Sequence, residues 1–247
     1  MTPTTTPERR VALVTGASRG LGATLAGFLA GEGFDLVIDG RHDGPLRREA
    51  RRLRGLGAAV TMVPGDVADP THRKRLLGAA QQRGRLDLLV HNAALLGRTP
   101  LPNLTEYPLP VFRRILETNV VAPLALTQLV LPLLAASRGK IVMISSDAAK
   151  GGYEGWGAYG STKAALDLLG KTLSTELETS QVAVVIVDPG DMRTPGVRPA
   201  FTAEAFSARP LPDVTLPFWA WLLGQPGRRI NGLRFEAQSE RWEALTA

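Results

Sequence analysis

Two rhythms of apolar positions alternate along the chain. Short, nearly uninterrupted apolar runs fall at 11–15, 35–39, 59–63, 86–91, 140–145, 182–187 and 230–235, with the length and β-branched content of strands buried on both faces. Between the second and third runs, Leu46, Ala50, Leu53 and Leu56 recur at helical spacing with Arg47, Arg48, Arg51, Arg52 and Arg54 turned the other way, which predicts a surface helix. Longer helices are predicted at about 110–136 and 157–179, each apolar along one side. Strands alternating with helices build βαβ units. The pattern therefore predicts an α/β protein: a doubly wound, three-layer fold around a seven-stranded parallel sheet. A flexible N-terminus at 1–8 precedes one domain over 9–247, and the proline-rich stretch 195–217 reads as a long loop near the site, with a substrate loop at about 190–212.

Composition narrows this picture in three ways. No cysteine is present among the 247 residues, which excludes a disulfide framework, a thiolate nucleophile and a Cys-ligated metal. The opening MTPTTTPERR has no apolar core, so a cytoplasmic location is expected. The most lipid-like run, 120–136, is short and carries Pro123, Thr127, Gln128 and Pro132, which favours a buried helix over a membrane span. The formal net charge of +6 raises nucleic acid as a partner, but the basic residues sit on outer helix faces without interleaved aromatics, so no nucleic-acid role is expected. The small, apolar faces of 110–136 and 157–179 need partners, either the sheet or the same helices of another subunit, and a homodimer or homotetramer is expected.

Candidate chemistry begins directly after the first strand, at Thr15-Gly16-Ala17-Ser18-Arg19-Gly20-Leu21-Gly22. Glycines 16, 20 and 22 between a strand and a helix let backbone N–H groups approach a pyrophosphate at the helix N-terminus. The longer spacing of TGASRGLG resembles the cofactor loop of the short-chain dehydrogenase/reductase family. That resemblance implies a Rossmann-like fold and places Gly16, Ser18, Arg19, Gly20, Leu21 and Gly22 against a nicotinamide dinucleotide. At the end of the second strand the family's ribose-binding acid falls on Gly40, with Arg41 beside it. Arg41 and Arg19 converging on a 2′-phosphate favour NADP(H) over NAD(H); in the competing reading Asp39 turns to the ribose and NAD(H) is preferred. Asp66 and Val67 look like the family's adenine-contacting pair.

The most informative stretch runs from Ser145 to Ala165. Tyr159 and Lys163 are four residues apart and share one helix face. Carbonyl reduction needs a proton donor, and a free tyrosine with a pKa of about 10 is a reluctant one. A lysine cation within ~4–6 Å and the helix N-terminus are expected to lower it. Tyr159 is thus the expected general acid/base and Lys163 its tuner and ribose ligand. By the family's spacing, Ser146 donates a hydrogen bond to the substrate oxygen, with Ser145 pointing the opposite way. Asn119 matches the family's asparagine that holds a relay water, or it only bonds backbone. Pro189, Gly190, Met192 and Thr194 are similar to the segment that frames the nicotinamide carboxamide.

One departure concerns the cofactor. Where the family commonly has Asn-Asn-Ala-Gly, this chain reads His91-Asn92-Ala93-Ala94; Asn92, Ala93 and Ala94 are still expected beside the cofactor, and the Ala94 methyl sits where glycine would allow closer approach or unusual torsions. His91, closing a strand, reads as a packed residue rather than a base. The expected activity is hydride transfer between NADP(H) and a small-molecule ketone or aldehyde and its alcohol, with Leu95, Leu96, Tyr153, Trp156 and the 195–210 loop walling the substrate. A non-catalytic NADP(H)-binding sensor or scaffold and an NAD-preferring alcohol dehydrogenase are the alternatives.

Overall fold

The structure, a computed structural model, describes residues 9–242. Seven strands form one parallel sheet in the order β3-β2-β1-β4-β5-β6-β7: β1 Val11–Val14, β2 Asp35–Gly40, β3 Val60–Pro64, β4 Leu88–His91, β5 Lys140–Ile144, β6 Ala183–Asp188 and β7 Arg234–Glu236. Helices α1 Gly20–Gly31, α2 Asp43–Gly55, α3 Pro70–Gln81, α4 Leu109–Leu116, α5 Ala122–Ser137 and α6 Gly157–Glu176 connect them, followed by α7 Ala203–Ser207, α8 Leu216–Gly224 and α9 Gly227–Ile230.

Strand alternation divides the core into two layers. Ala12, Val14, Leu36 and Ile38 face α1, α2 and α8, where Leu25, Leu29, Leu46, Leu53 and Phe218 are buried. Val11, Leu13, Val37 and Leu89 face the other side, against Leu76, Leu126, Val130 and Leu166. Arginines on α2 occupy its outer face while Leu46, Ala50 and Leu53 point in. The apolar span Leu109–Ser137 is long enough to cross a membrane by length and composition, but Leu126, Val130 and Leu134 pack onto the sheet.

Two expectations are corrected and one is refined. The last strand begins at Arg234 rather than at 230, because Ile230 closes α9 and Gly232 turns the chain with φ +74°. Asn231 brackets that turn, accepting from Val184 N–H at 2.9 Å and donating to Ser174 C=O at 2.9 Å. The helix expected at 110–136 is present as one continuous helical span, Leu109–Ser137, with a π-helical turn at Glu117–Val121 between α4 and α5. The stretch 195–217 is not a plain loop: Arg198–Ala200, α7 and Pro212–Thr215 are helical turns. The expectation of a flexible 1–8 lies outside the described residues.

Candidate active site

Strand order reverses between β1 and β4, so the loops after these strands diverge and leave a crevice at their C-terminal ends. A cleft of about 510 Å³ opens there, and all the residues assigned above to the cofactor line it, together with Ser146.

The glycine loop is held from beneath by β4. Thr15 Oγ1 accepts from the N–H groups of Asn92 and Ala93 at 3.0 Å each, while Asn92 Nδ2 donates to Thr15 C=O at 2.8 Å and Gly16 C=O at 3.2 Å. Gly16 adopts φ +67°, a conformation that disfavours side chains. A Cβ on Gly22 would lie 2.4 Å from the Gly16 carbonyl oxygen, so only glycine lets α1 start this close to the loop. No side chain caps the α1 N-terminus, leaving its first N–H groups for an anion. Ala94 does not adopt positive φ, so its methyl meets no torsional barrier.

At the far end Arg19 and Arg41 are exposed on the rim and Gly40 packs against Ser18. Asp39 does not face outward. It is 1% exposed, accepts from Gly16 N–H at 2.6 Å and meets His72 Nε2 at 3.0 Å. Burial pushes its carboxyl above the usual range, with those two hydrogen bonds pulling the other way. Asp66 Oδ1 caps its own turn through Ala68 N–H at 3.0 Å.

Tyr159 lies in the first turn of α6 and Lys163 one turn later, its ammonium 5.5 Å from the Tyr159 ring centroid. Lys163 Nζ donates to Ile144 C=O at 2.7 Å. Ser146 Oγ donates to Asp147 Oδ1 at 2.9 Å and accepts from Ala148 N–H at 3.2 Å. Ser145 also lines the cleft; its hydroxyl and that of Thr118 are buried without a protein partner. Asn119 stands back from the cleft. Its Oδ1 accepts from Leu95 N–H at 2.8 Å, and its Nδ2 donates to Leu95 C=O at 2.9 Å and Thr162 Oγ1 at 3.0 Å, so the side chain clips the π turn to the loop after β4 and to α6. His91 is packed, its Nε2 2.8 Å from Thr127 Oγ1, and burial pushes it down to about 3.

The expected electrostatics of the pair are reversed. Burial pushes the Tyr159 phenol well above its ordinary value, and the Asp188 and Asp147 carboxylates push the same way. Lys163, 2% exposed, is pushed down to about 8 by burial against the opposing pull of Asp167 and Asp188. Desolvation of both heads outweighs their mutual attraction.

Trp156 and the 195–210 loop, expected as walls, do line the cleft; within that loop Phe201 and Arg209 were not singled out, and the charges of Asp188 and Arg234 were missed. Trp156 stands edge-on to Tyr159 at 5.9 Å and stacks on Phe201 at 5.7 Å. Arg209 covers the other side of Phe201 at 3.6 Å and pairs with Asp191 at 3.2 Å. Asp188 pairs with Arg234 at 3.0 Å, and the same guanidinium nitrogen donates to Ser146 C=O at 2.9 Å. Charges beside the motifs, at Asp147 and Asp188, were the available signal for the electrostatics; the loop carrying Phe201 and Arg209 was marked only as a segment, with nothing local to pick out those two side chains.

The family profile described as short chain dehydrogenase matches residues 10–205. The uncharacterized oxidoreductase YciK of Escherichia coli is 32% identical over 237 residues, covering 94% of this chain and 93% of that one. A short chain dehydrogenase of Shigella flexneri, solved in complex with NADP, superposes with a TM-score of 0.84 at 31% identity over 93% of this chain and 97% of its own. The 3-ketoacyl-(acyl-carrier-protein) reductase of Brucella melitensis, solved with NADH, gives 0.83 at 26% identity over 92% and 96%. Cradle, cleft and sequence agree, and the chain belongs to the short chain dehydrogenase family of oxidoreductases.

Proposed function

We propose that this protein interconverts a ketone or aldehyde and its alcohol with NADP(H), Tyr159 serving as the general acid/base. The observation that carries this reading is convergence. Ser146, Tyr159 and Lys163 line one end of a cleft whose other end holds the glycine cradle and two free guanidiniums. The chain fits a dinucleotide: a glycine loop too tight for a Cβ at position 22, an uncapped helix N-terminus, and buried hydroxyls at Ser145 and Thr118 left for a bound partner. Arg19 and Arg41 are exposed while Asp39, the carboxylate near the end of β2, is turned inward, which suits a 2′-phosphate. The NADP held by the Shigella relative supports the same preference.

Bound NADPH supplies the hydride. The chain does the rest. The Ser146 hydroxyl, turned from Asp147, donates to the substrate oxygen and polarises the carbonyl. The Tyr159 hydroxyl gives its proton to that oxygen as negative charge develops, and the product is the alcohol. Lys163, anchored on Ile144 C=O, keeps two N–H donors that would hold ribose hydroxyls. Trp156, Phe201 and the Arg209–Asp191 pair wall the reacting end. The reading is tested by following loss of reduced-cofactor absorbance with NADPH and a panel of aldehydes and ketones. Turnover is expected, and Tyr159→Phe should retain NADPH binding while kcat falls by about 10²–10⁴. Tight NADPH binding without turnover of any carbonyl would refute it.

A further inference from the structure

Asp39 and His72 take no part in the proposed chemistry, yet they are among the most deeply buried polar groups in the fold, at 1% and 0% exposure. They come from different elements, the end of β2 and the first turn of α3, and meet at 3.0 Å. Arg75 Nη2 lies 3.3 Å from His72 Nδ1. A guanidinium only donates, so Nδ1 is the acceptor and Nε2 carries the hydrogen that Asp39 Oδ2 receives. Space for the ring is provided by Gly65, where a Cβ would lie 2.2 Å from His72 Nδ1. On its other oxygen Asp39 holds Gly16 N–H at 2.6 Å. The carboxylate therefore lies beneath the glycine loop, one residue before Gly40, at the border of the cleft.

That border is where the cofactor's adenosine ribose is read. Position 40 is a glycine and supplies no acid, and a Cβ there would already crowd Ser18 Cβ and Oγ at 3.0 Å. Asp39 is thus the carboxylate closest to the ribose site along β2, and two contacts hold it inward. The Gly16 N–H belongs to the glycine loop that lines the cleft, so it holds Asp39 at the cleft wall; His72, on α3, is the anchor from the interior side. Resting on the NADP(H) reading above, we propose that His72 is a specificity-determining positioning residue: by holding Asp39 inward it keeps a negative charge away from the 2′-phosphate and denies NADH a ribose hydroxyl acceptor.

Released from His72, the carboxylate keeps only the Gly16 N–H, itself at the cleft wall, and its freed oxygen is most readily solvated in the cleft. There it repels a phosphate dianion and accepts from ribose hydroxyls, so a single substitution far from the cofactor should move affinity for the two cofactors in opposite directions. A merely structural role would weaken both together.

The experiment measures Kd for NADPH and for NADH by fluorescence quenching, without substrate, in wild type, His72→Leu, His72→Gln and the double variant Asp39→Asn/His72→Leu. His72→Leu should move the ratio of the two constants toward NADH by about tenfold or more. His72→Gln, which restores a side-chain N–H at similar reach, should stay close to wild type, and the double variant, with no carboxylate left to turn, should return toward the wild-type ratio. An unmoved ratio in His72→Leu, or a shift that persists in the double variant, overturns the proposal. If His72→Leu does not fold, His72→Asn, too short to reach Oδ2, carries the same comparison. A wild type that prefers NADH would instead refute the NADP(H) reading, since the shift on substitution is read from whatever ratio the wild type has.

Discussion

Lys163 offers the sharpest quantitative test, because its burial and its protonation oppose each other. The side chain is 2% exposed, hydrogen-bonded to Ile144 C=O, and pushed from the 10.5 of a free lysine down to about 8. Each tenfold change is worth about 1.4 kcal/mol, so below pH 8 the folded protein carries a penalty of roughly 3 kcal/mol for keeping this ammonium out of water. The unfolded chain loses the proton only near 10.5, and between the two values it binds more protons than the native state, so stability contributed at this site rises with pH across that window. Lys163→Met removes the titration. In cofactor-free protein, urea unfolding of wild type and variant at matched pH should show the wild type gaining about 2–3 kcal/mol on the variant between pH 7 and about pH 10, with the other titrating groups common to both. A difference that stays flat would mean that Lys163 keeps its ordinary protonation in the fold, and the account of the reacting end given above would fail.

Other consequences follow from the same contacts. In Gly22→Ala the new methyl meets the Gly16 carbonyl oxygen at 2.4 Å, so α1 must move off the loop at about 1–3 kcal/mol, and NADPH Kd should rise; an unchanged Kd would show that the cradle tolerates the shift. Arg234→Met strands Asp188 and Asp167, each 3.0 Å from the guanidinium, and should cost about 3–5 kcal/mol in chemical denaturation; a loss below about 1 kcal/mol would show the pairs to be solvated. With the phenol of Tyr159 pushed up, initial rates of carbonyl reduction should be flat between about pH 6 and 8 while those of alcohol oxidation climb toward about pH 10; an oxidation rate already level near neutrality would contradict that direction.

Much of this was legible in the sequence because the signals are local. Buried parallel strands read as apolar runs, and six of the seven were placed within two residues of their observed starts. The glycine loop and the Tyr159–Lys163 pair announce themselves by spacing, since turn and helix geometry convert spacing directly into position. The end of the chain was harder. Residues 230–233 are apolar enough for a strand, but Asn231 and Gly232 make a bracket whose partners, Val184 and Ser174, lie far back in the sequence. His72 was invisible for the same reason: nothing in Pro70–Gln81 shows that the ring is to meet a carboxylate 33 residues earlier.

The reversal at Tyr159 has a different origin, because spacing alone could not supply the sign. An i,i+4 pair brings an ammonium near a phenol, and in water that proximity favours phenolate. Here the same helix buries both heads, so each loses hydration before it gains a partner, and the approach of Asp188 and Asp147 adds negative charge on the phenol's side. Arg234, which pairs with Asp188, also holds Ser146 C=O, so one guanidinium ties the neighbouring charge to the serine proposed to polarise the substrate. A phenol kept protonated is an acid in waiting. On the proposed reading, carbonyl reduction consumes that proton whereas alcohol oxidation needs it gone, so near neutral pH the chain's own charges would hold Tyr159 in the form that reduction requires.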